Sequence, residues 1–119
     1  MNIRFFNSKN DKKIAELHDT SFMISETQDI LDIFGSLYGS ECQGLIIYEH
    51  NLNASFFDLK TGLAGEILQK FSNYRMRLAI IGDFSKFDSK SFKDFIYESN
   101  KSNLVFFAEN YDVAIMKLG

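Results

Sequence analysis

The chain has 119 residues, 45% of them hydrophobic and 24% charged, which predicts one globular domain over residues 1–119 and argues against a disordered protein. The net charge of −3 and the scattered lysines and arginines argue against nucleic-acid binding, which needs clustered cations. No apolar run is long enough for a membrane span, and the N-terminus lacks the features of a signal peptide. With a single cysteine, these features predict a cytoplasmic protein.

The N-terminal segment predicts a β-hairpin. Residues 2–6 and 12–18 are β-prone and flank a polar turn. In the second strand, Ile14 and Glu16 point to one face of the sheet and Ala15 to the other.

A helix and a buried strand follow the hairpin. Ser25 and Gln28 have the spacing of a capping box, and apolar residues then recur at helical spacing, which predicts a helix from about 26 to 38. The continuous apolar run 45–48 indicates a strand buried on both faces. A second amphipathic helix is predicted within 55–74.

The C-terminal part repeats this alternation. The runs 78–82 and 104–107 are again typical of buried strands, and a helix capped by Ser89 separates them. A short helix over roughly 110–118 closes the chain.

The resulting order, β-β-α-β-α-β-α-β-α, predicts the α/β class. We expect a mixed five-stranded sheet, with an antiparallel N-terminal hairpin and parallel central strands joined by right-handed crossovers. The three continuous apolar strands are expected at its centre.

In an open α/β sheet, ligands bind at the carboxyl ends of the parallel strands. This rule selects the segments after the predicted strands and the start of the second helix as a candidate rim for a ligand or partner. The rim residues are Glu49, His50, Asp58, Lys60, Thr61, Gly62, Glu66, Asp83, Phe84 and Phe87. They contain no catalytic motif and no metal-ligand spacing, so we assign no catalytic residue, metal or cofactor.

An enzyme is the least favoured hypothesis. Histidine is the side chain that titrates nearest neutral pH, so a general base here would be His50. Catalysis would require His50 within hydrogen-bond reach of Asp58 or Glu66 in a cleft.

Three segments together resemble a known family. Residues 56–75 read FFDLKTGLAGEILQKFSNYR, residues 78–87 read LAIIGDFSKF, and residues 95–100 read FIYESN. They resemble the bacterial domain-of-unknown-function family DUF4180 over nearly the whole chain. The resemblance implies a stand-alone bacterial cytoplasmic domain and implies no activity.

The element order also resembles, more distantly, the STAS-type domains of anti-sigma-factor antagonists. There the corresponding helix opens with Asp-Ser-Ser-Gly-Leu-Gly, and a partner kinase phosphorylates the second serine. Thr61-Gly62-Leu63 is similar to Ser-Gly-Leu, so the resemblance implies phosphorylation at Thr61. Asp58 lies one residue too far upstream, and Lys60 replaces the first serine.

These observations favour a non-enzymatic regulatory or protein-interaction module that meets an unidentified protein partner through the rim around Thr61. The alternative is a carrier of a small apolar, lipid-like ligand, because the chain has 13 phenylalanines. Four of them, Phe56, Phe57, Phe84 and Phe87, lie in the rim loops. Exposed phenylalanines could equally serve a homodimer, whose interface the sequence does not locate.

Overall fold

Five strands and four helices alternate in the computed structural model, which describes residues 1–119. The strands are β1 (Ile3–Asn7), β2 (Lys13–Leu17), β3 (Gly44–Tyr48), β4 (Arg77–Ile81) and β5 (Val105–Ala108). The helices are α1 (Thr27–Leu37), α2 (Leu63–Asn73), α3 (Lys90–Lys101) and α4 (Tyr111–Leu118). Three short 3-10 turns, Glu49–Asn51, Ala54–Phe57 and Leu59–Thr61, lead from β3 into α2. The predicted α/β class and element order are confirmed.

The strands form one mixed sheet in the order β1-β2-β3-β4-β5. β1 is antiparallel to β2, and β2 to β5 are parallel to one another, as predicted. The central position expected for β5 is wrong, because β5 is an edge strand. All four of its residues are nevertheless buried, since α3 and α4 pack against it. A continuous apolar run therefore indicates that both faces of a strand are buried, and it does not indicate that the strand lies at the centre of the sheet.

Helices α1, α2 and α3 cover one face of the sheet. Successive right-handed crossovers that advance in one direction place their helices on the same side. The larger core cluster joins side chains such as Ala15 of β2 and Leu45 of β3 to Ile33, Ile67 and Phe92 of these three helices. None of the four helices combines the length and the apolar character that a membrane span requires.

The other face is only partly covered. The single helix α4 packs there on β4 and β5, with Ala114 and Leu118 buried in a smaller cluster. Arg77 of β4 donates hydrogen bonds to the carbonyl oxygens of Lys117 (2.8 Å) and Leu118 (3.1 Å), which fixes the end of α4. The same cluster contains Ile14 of β2, and Phe6 of β1 packs against it, whereas Arg4 of β1 is exposed.

The start of α1 differs from the predicted cap. Glu26 rather than Ser25 is the N-cap residue, and the N3 position falls on Asp29 rather than on Gln28. The carboxylate of Asp29 accepts hydrogen bonds from the backbone N–H groups of Ser25 (2.8 Å) and Glu26 (3.1 Å). A carboxylate is preferred here because its charge complements the helix dipole. The predicted Ser89 cap of α3 is confirmed, with Ser89 accepting from the Phe92 N–H at 3.2 Å.

Phe71 lies in the core between α1 and α2 and tests this packing. It is fully buried and meets the ring of Phe34 edge-on at 5.0 Å. We expect Phe71→Ala to lower the free energy of unfolding by about 3–5 kcal/mol, because it removes buried apolar surface and leaves a cavity. Phe5→Ala, at a ring that is 44% exposed, is the matched control and should cost less than about 1 kcal/mol in urea unfolding. Equal losses for the two variants would contradict the assigned core.

Candidate functional site

A cavity of about 800 Å³ lies on the uncovered face, beside α4 and toward the carboxyl ends of β2 and β3. Its volume is within the range of small-molecule sites. We call it the open-face cavity. It is lined by Asn2, Arg4, Glu16, Leu17, His18, Asp19, Thr20, Tyr48, His50 and Tyr111. Both histidines of the chain are among these residues.

Glu16 lies at the base of the open-face cavity and is only 2% exposed. It pairs in register with Arg4 across the β1–β2 hairpin. The guanidinium of Arg4 reaches Glu16 Oε1 with Nε at 3.0 Å and Nη2 at 2.8 Å, and the Tyr48 hydroxyl donates to Oε2. Burying an ionised carboxylate without partners costs on the order of several kcal/mol, and here both oxygens have partners.

The two tyrosines of the cavity keep their protons at neutral pH. Burial raises the pKa of Tyr48 above its usual value, and the hydrogen bond to Glu16 and the charge of Glu16 add to the rise. Burial and then the charge of Glu16 also raise the pKa of Tyr111. The Tyr48 ring is stacked on His50, with centroids 5.4 Å apart and an interplanar angle of 11°.

The basic side chains of the cavity are more exposed than its buried carboxylate. The Glu16 side chain is 3% exposed, whereas those of Arg4 and His18 are 56% and 53% exposed, with His18 Nδ1 4.0 Å from Glu16 Oε1. Asp19 is the other carboxylate of the lining. It lies 3.9 Å from the N-terminal ammonium group, and hydrogen bonds from Ser21 lower its pKa. Arg4 and His18 are therefore the exposed members of the group of charged and basic side chains around Glu16.

Asn51 holds one wall of the cavity in place. It is fully buried after β3, and its amide group donates to the carbonyl oxygens of Asp19 (2.9 Å) and Phe22 (3.0 Å). Its side-chain oxygen accepts from the Tyr48 backbone N–H at 3.1 Å. These bonds fix the segment that follows β2 beside the end of β3.

A second concavity of about 610 Å³, which we call the carboxyl-edge groove, adjoins the first. It shares Tyr48 and His50 with the open-face cavity. Its other lining residues are Glu49, Leu52, Ala54, Phe57, Ile81, Gly82, Lys86 and Phe87. Six of the ten are hydrophobic, so this groove is the more apolar of the two.

The rim of the groove is closed by an ion pair between Glu49 and Lys86. Glu49 Oε1 also accepts from the Asp83 backbone N–H at 3.2 Å. A Cβ atom at Gly82 would lie 2.7 Å from the Cβ of Glu49, so only glycine allows this close approach. Hydrogen bonds from Ser85 lower the pKa of Asp83.

The structure divides the predicted rim into separate places. His50 lines both the open-face cavity and the groove, and Glu49 and Phe87 line the groove alone. Asp83 and Phe84 line a third concavity, between the ends of β4 and β5.

Gly62 and Glu66 lie apart from these, in a depression on α2 that also contains Thr27. His50 stacks on Tyr48, whereas the Asp58 carboxylate caps a 3-10 turn by accepting from the Lys60 N–H at 3.2 Å. The structure does not bring His50 together with Asp58 or Glu66.

Thr61 lies at the surface in the turn before α2. Its hydroxyl is within hydrogen-bond distance of the carbonyl oxygens of Ser55 (2.7 Å) and Asp58 (2.9 Å), and it accepts from the Leu63 N–H at 3.2 Å. Gly62 has φ +78°, a left-handed conformation that favours glycine. The hydroxyl and the glycine together stabilise this turn.

Sequence reasoning missed all of the open-face cavity except His50, including Arg4, Glu16, His18, Tyr48 and Tyr111. Two signals could have found it. A charged residue inside an apolar strand needs a buried partner. The two predicted strands also carry the opposite charges of Arg4 and Glu16, and the observed register places these residues opposite each other, where opposite charges stabilise an antiparallel pair.

A family model described as a domain of unknown function, DUF4180, matches residues 9–118. The chain belongs to the DUF4180 family. Neither the curated proteins nor the solved structures contain a match to this DUF4180 chain. The matched segment includes Glu16, His18, Tyr48, His50 and Tyr111 of the open-face cavity, whereas the β1 strand precedes it.

Replacing Tyr48 tests its bond to Glu16. Tyr48→Phe should lower the free energy of unfolding by about 1–3 kcal/mol near pH 8, because a buried carboxylate oxygen loses its donor. The pKa of Tyr48 is higher in the folded state, so its contribution is present below about pH 10 and is lost as the pH rises further. Urea unfolding at several pH values should show the wild-type and variant stabilities converging above about pH 10.

Tyr38→Phe is the control, because that ring is 93% exposed. It should leave both the stability and its alkaline slope unchanged. A constant difference between Tyr48→Phe and wild type across the alkaline range would contradict the assignment.

Proposed function

We propose that this DUF4180 domain is a non-enzymatic regulatory module that binds a small ligand in the open-face cavity. One observation carries the proposal: a cavity of ligand size gathers both histidines, an arginine and two tyrosines around a buried carboxylate. Buried polar side chains with fully paired partners are pre-organised, and a pre-organised polar lining is what a ligand site needs for specificity.

The state of the polar groups supports binding rather than chemistry. Both oxygens of Glu16 are already engaged by Arg4 and Tyr48, and the residue is only 2% exposed, so the carboxylate is poorly accessible to a reacting atom. The raised pKa of Tyr48 makes its phenol a weak proton donor at neutral pH. The outward-facing groups of Arg4 and His18 are suited to recognition through hydrogen bonds and charge.

A protein partner at the rim around Thr61 is the second candidate. Exposure of this turn beside the depression on α2 supports it. A phosphate on Thr61 would remove the hydroxyl hydrogen that bonds to the carbonyls of Ser55 and Asp58, so modification would rearrange the turn. The STAS-like type, a homodimer and a cytoplasmic location stay predictions.

The apolar-ligand hypothesis was based on four phenylalanines of the rim loops, and the structure does not place all four around one ligand site. Phe56 is fully buried, and the rings of Phe57, Phe84 and Phe87 pack against one another at centroid distances of 4.8–6.5 Å. Phe56 therefore belongs to the core, whereas Phe57 and Phe87 line one side of the carboxyl-edge groove. The open-face cavity is polar, so we propose a ligand with polar groups.

The proposal predicts where ligands bind. Screening a fragment library by ¹H–¹⁵N NMR on this 13.7 kDa chain should give hits that shift amide signals at residues 16–20 and 48–50. Thr20→Trp places a large ring in the cavity and should weaken those hits at least tenfold. Thr27→Trp, in the depression on α2, is the matched control and should leave them unchanged. Hits confined to residues 58–66, or insensitive to Thr20→Trp, would favour the Thr61 rim and overturn the proposal.

A further inference from the structure

The open-face cavity and the carboxyl-edge groove lie next to each other. Tyr48 and His50 line both, and their stacked rings form the shared wall. On one side of this wall the lining is mostly polar, and on the other side it is mostly apolar. A single ligand that spans the wall would therefore meet two different chemical environments.

The polar side favours an anionic group. The guanidinium of Arg4 is bound to Glu16 through Nε and Nη2, which leaves the Nη1 edge free to donate outward. His18 presents its ring beside it, while the Glu16 carboxylate is covered. A planar guanidinium edge matches a carboxylate better than it matches a neutral polar group.

The groove side favours an apolar group. Leu52, Ala54 and Ile81 line it together with Phe57 and Phe87, whose rings stack at 4.8 Å. Its ion pair follows the same pattern as the cavity, with Lys86 more exposed than Glu49. An uncovered apolar surface next to exposed cations is complementary to an amphipathic anion.

We propose that the ligand is a small organic acid with an apolar chain or ring. Its carboxylate lies against the outer edge of Arg4 and the two histidines, and its apolar part runs past the Tyr48–His50 stack into the groove. This inference rests on the proposed function and names the class of ligand for the same site.

Three probes separate the two halves of the inference. Octanoate has the carboxylate and the chain, octanamide has the chain without the charge, and acetate has the charge without the chain. In NMR titrations of the full chain, octanoate should bind at least tenfold more tightly than either of the others. Its shifts should include the amides of residues 16–20, 48–50 and 81–87.

Variants assign each half to its residues. The Arg4→Gln variant should bind octanoate at least fivefold more weakly than the wild type does and should bind octanamide with unchanged affinity. The matched control is Arg75→Gln, at an exposed turn. The Phe87→Ser variant should bind octanoate more weakly and acetate with unchanged affinity. Phe5→Ser is the control. Because Arg4→Gln leaves Glu16 without its cation, His50→Gln at the exposed ring is a second variant that should also weaken octanoate.

Each alternative result would contradict one part of the inferred ligand, its anionic group or its apolar part. Octanamide binding as tightly as octanoate would overturn the anionic group, and acetate binding as tightly would overturn the apolar part. If none of the three binds while fragments still bind in the open-face cavity, the inference fails and the proposed function stands. If neither the probes nor the fragments bind there, both fail.

Discussion

The burial of one carboxylate shapes the candidate site. Glu16 lies in the second strand with 2% exposure, and an ionised group in that position requires both a cation and a hydrogen-bond donor. Arg4 supplies the cation from β1, and Tyr48 supplies the donor from β3. The pairing therefore links three strands across the sheet. It also leaves the basic side chains of Arg4 and His18 on the exposed side of the cavity.

The position of this site follows from how the helices are distributed. Three crossovers place α1, α2 and α3 on one face, and the eight-residue helix α4 packs mainly on β4 and β5 on the other. Arg4 of β1 and the end of β3 are thus accessible, where a longer helix would cover them. Asn51 then fixes the loop after β2 against β3, so the accessible region becomes a cavity with a rigid wall.

The fold was largely predictable from the sequence, because it depends on local patterns. Apolar runs identified β3, β4 and β5, and capping residues such as Ser89 located helix starts. The shift of the α1 cap to Glu26 reflects two possible capping boxes one residue apart, Ser25 with Gln28 and Glu26 with Asp29, which pattern alone does not separate. The edge position of β5 was missed because burial by α3 and α4 has the same sequence signature as a central strand.

The site was much less predictable, and the reason is physical. The rule for open sheets selects the edge at which His50 lies, and two concavities adjoin there. It does not say which face remains uncovered, because that depends on how far α4 extends over the sheet. Arg4 and His18 precede the predicted rim in the chain, and they reach the site only through hairpin register and the end of β2.

A double-mutant cycle on Arg4 and Glu16 tests the central claim most directly. The free energies of unfolding of Arg4→Met, Glu16→Gln and the double variant are compared with wild type in urea. The account predicts a coupling free energy of roughly 1–3 kcal/mol. Arg4→Met should be the costlier single change because it leaves the buried Glu16 carboxylate without its cation, whereas in Glu16→Gln the released Arg4 side chain can be hydrated. A coupling below about 0.5 kcal/mol, typical of an exposed surface pair, would contradict it.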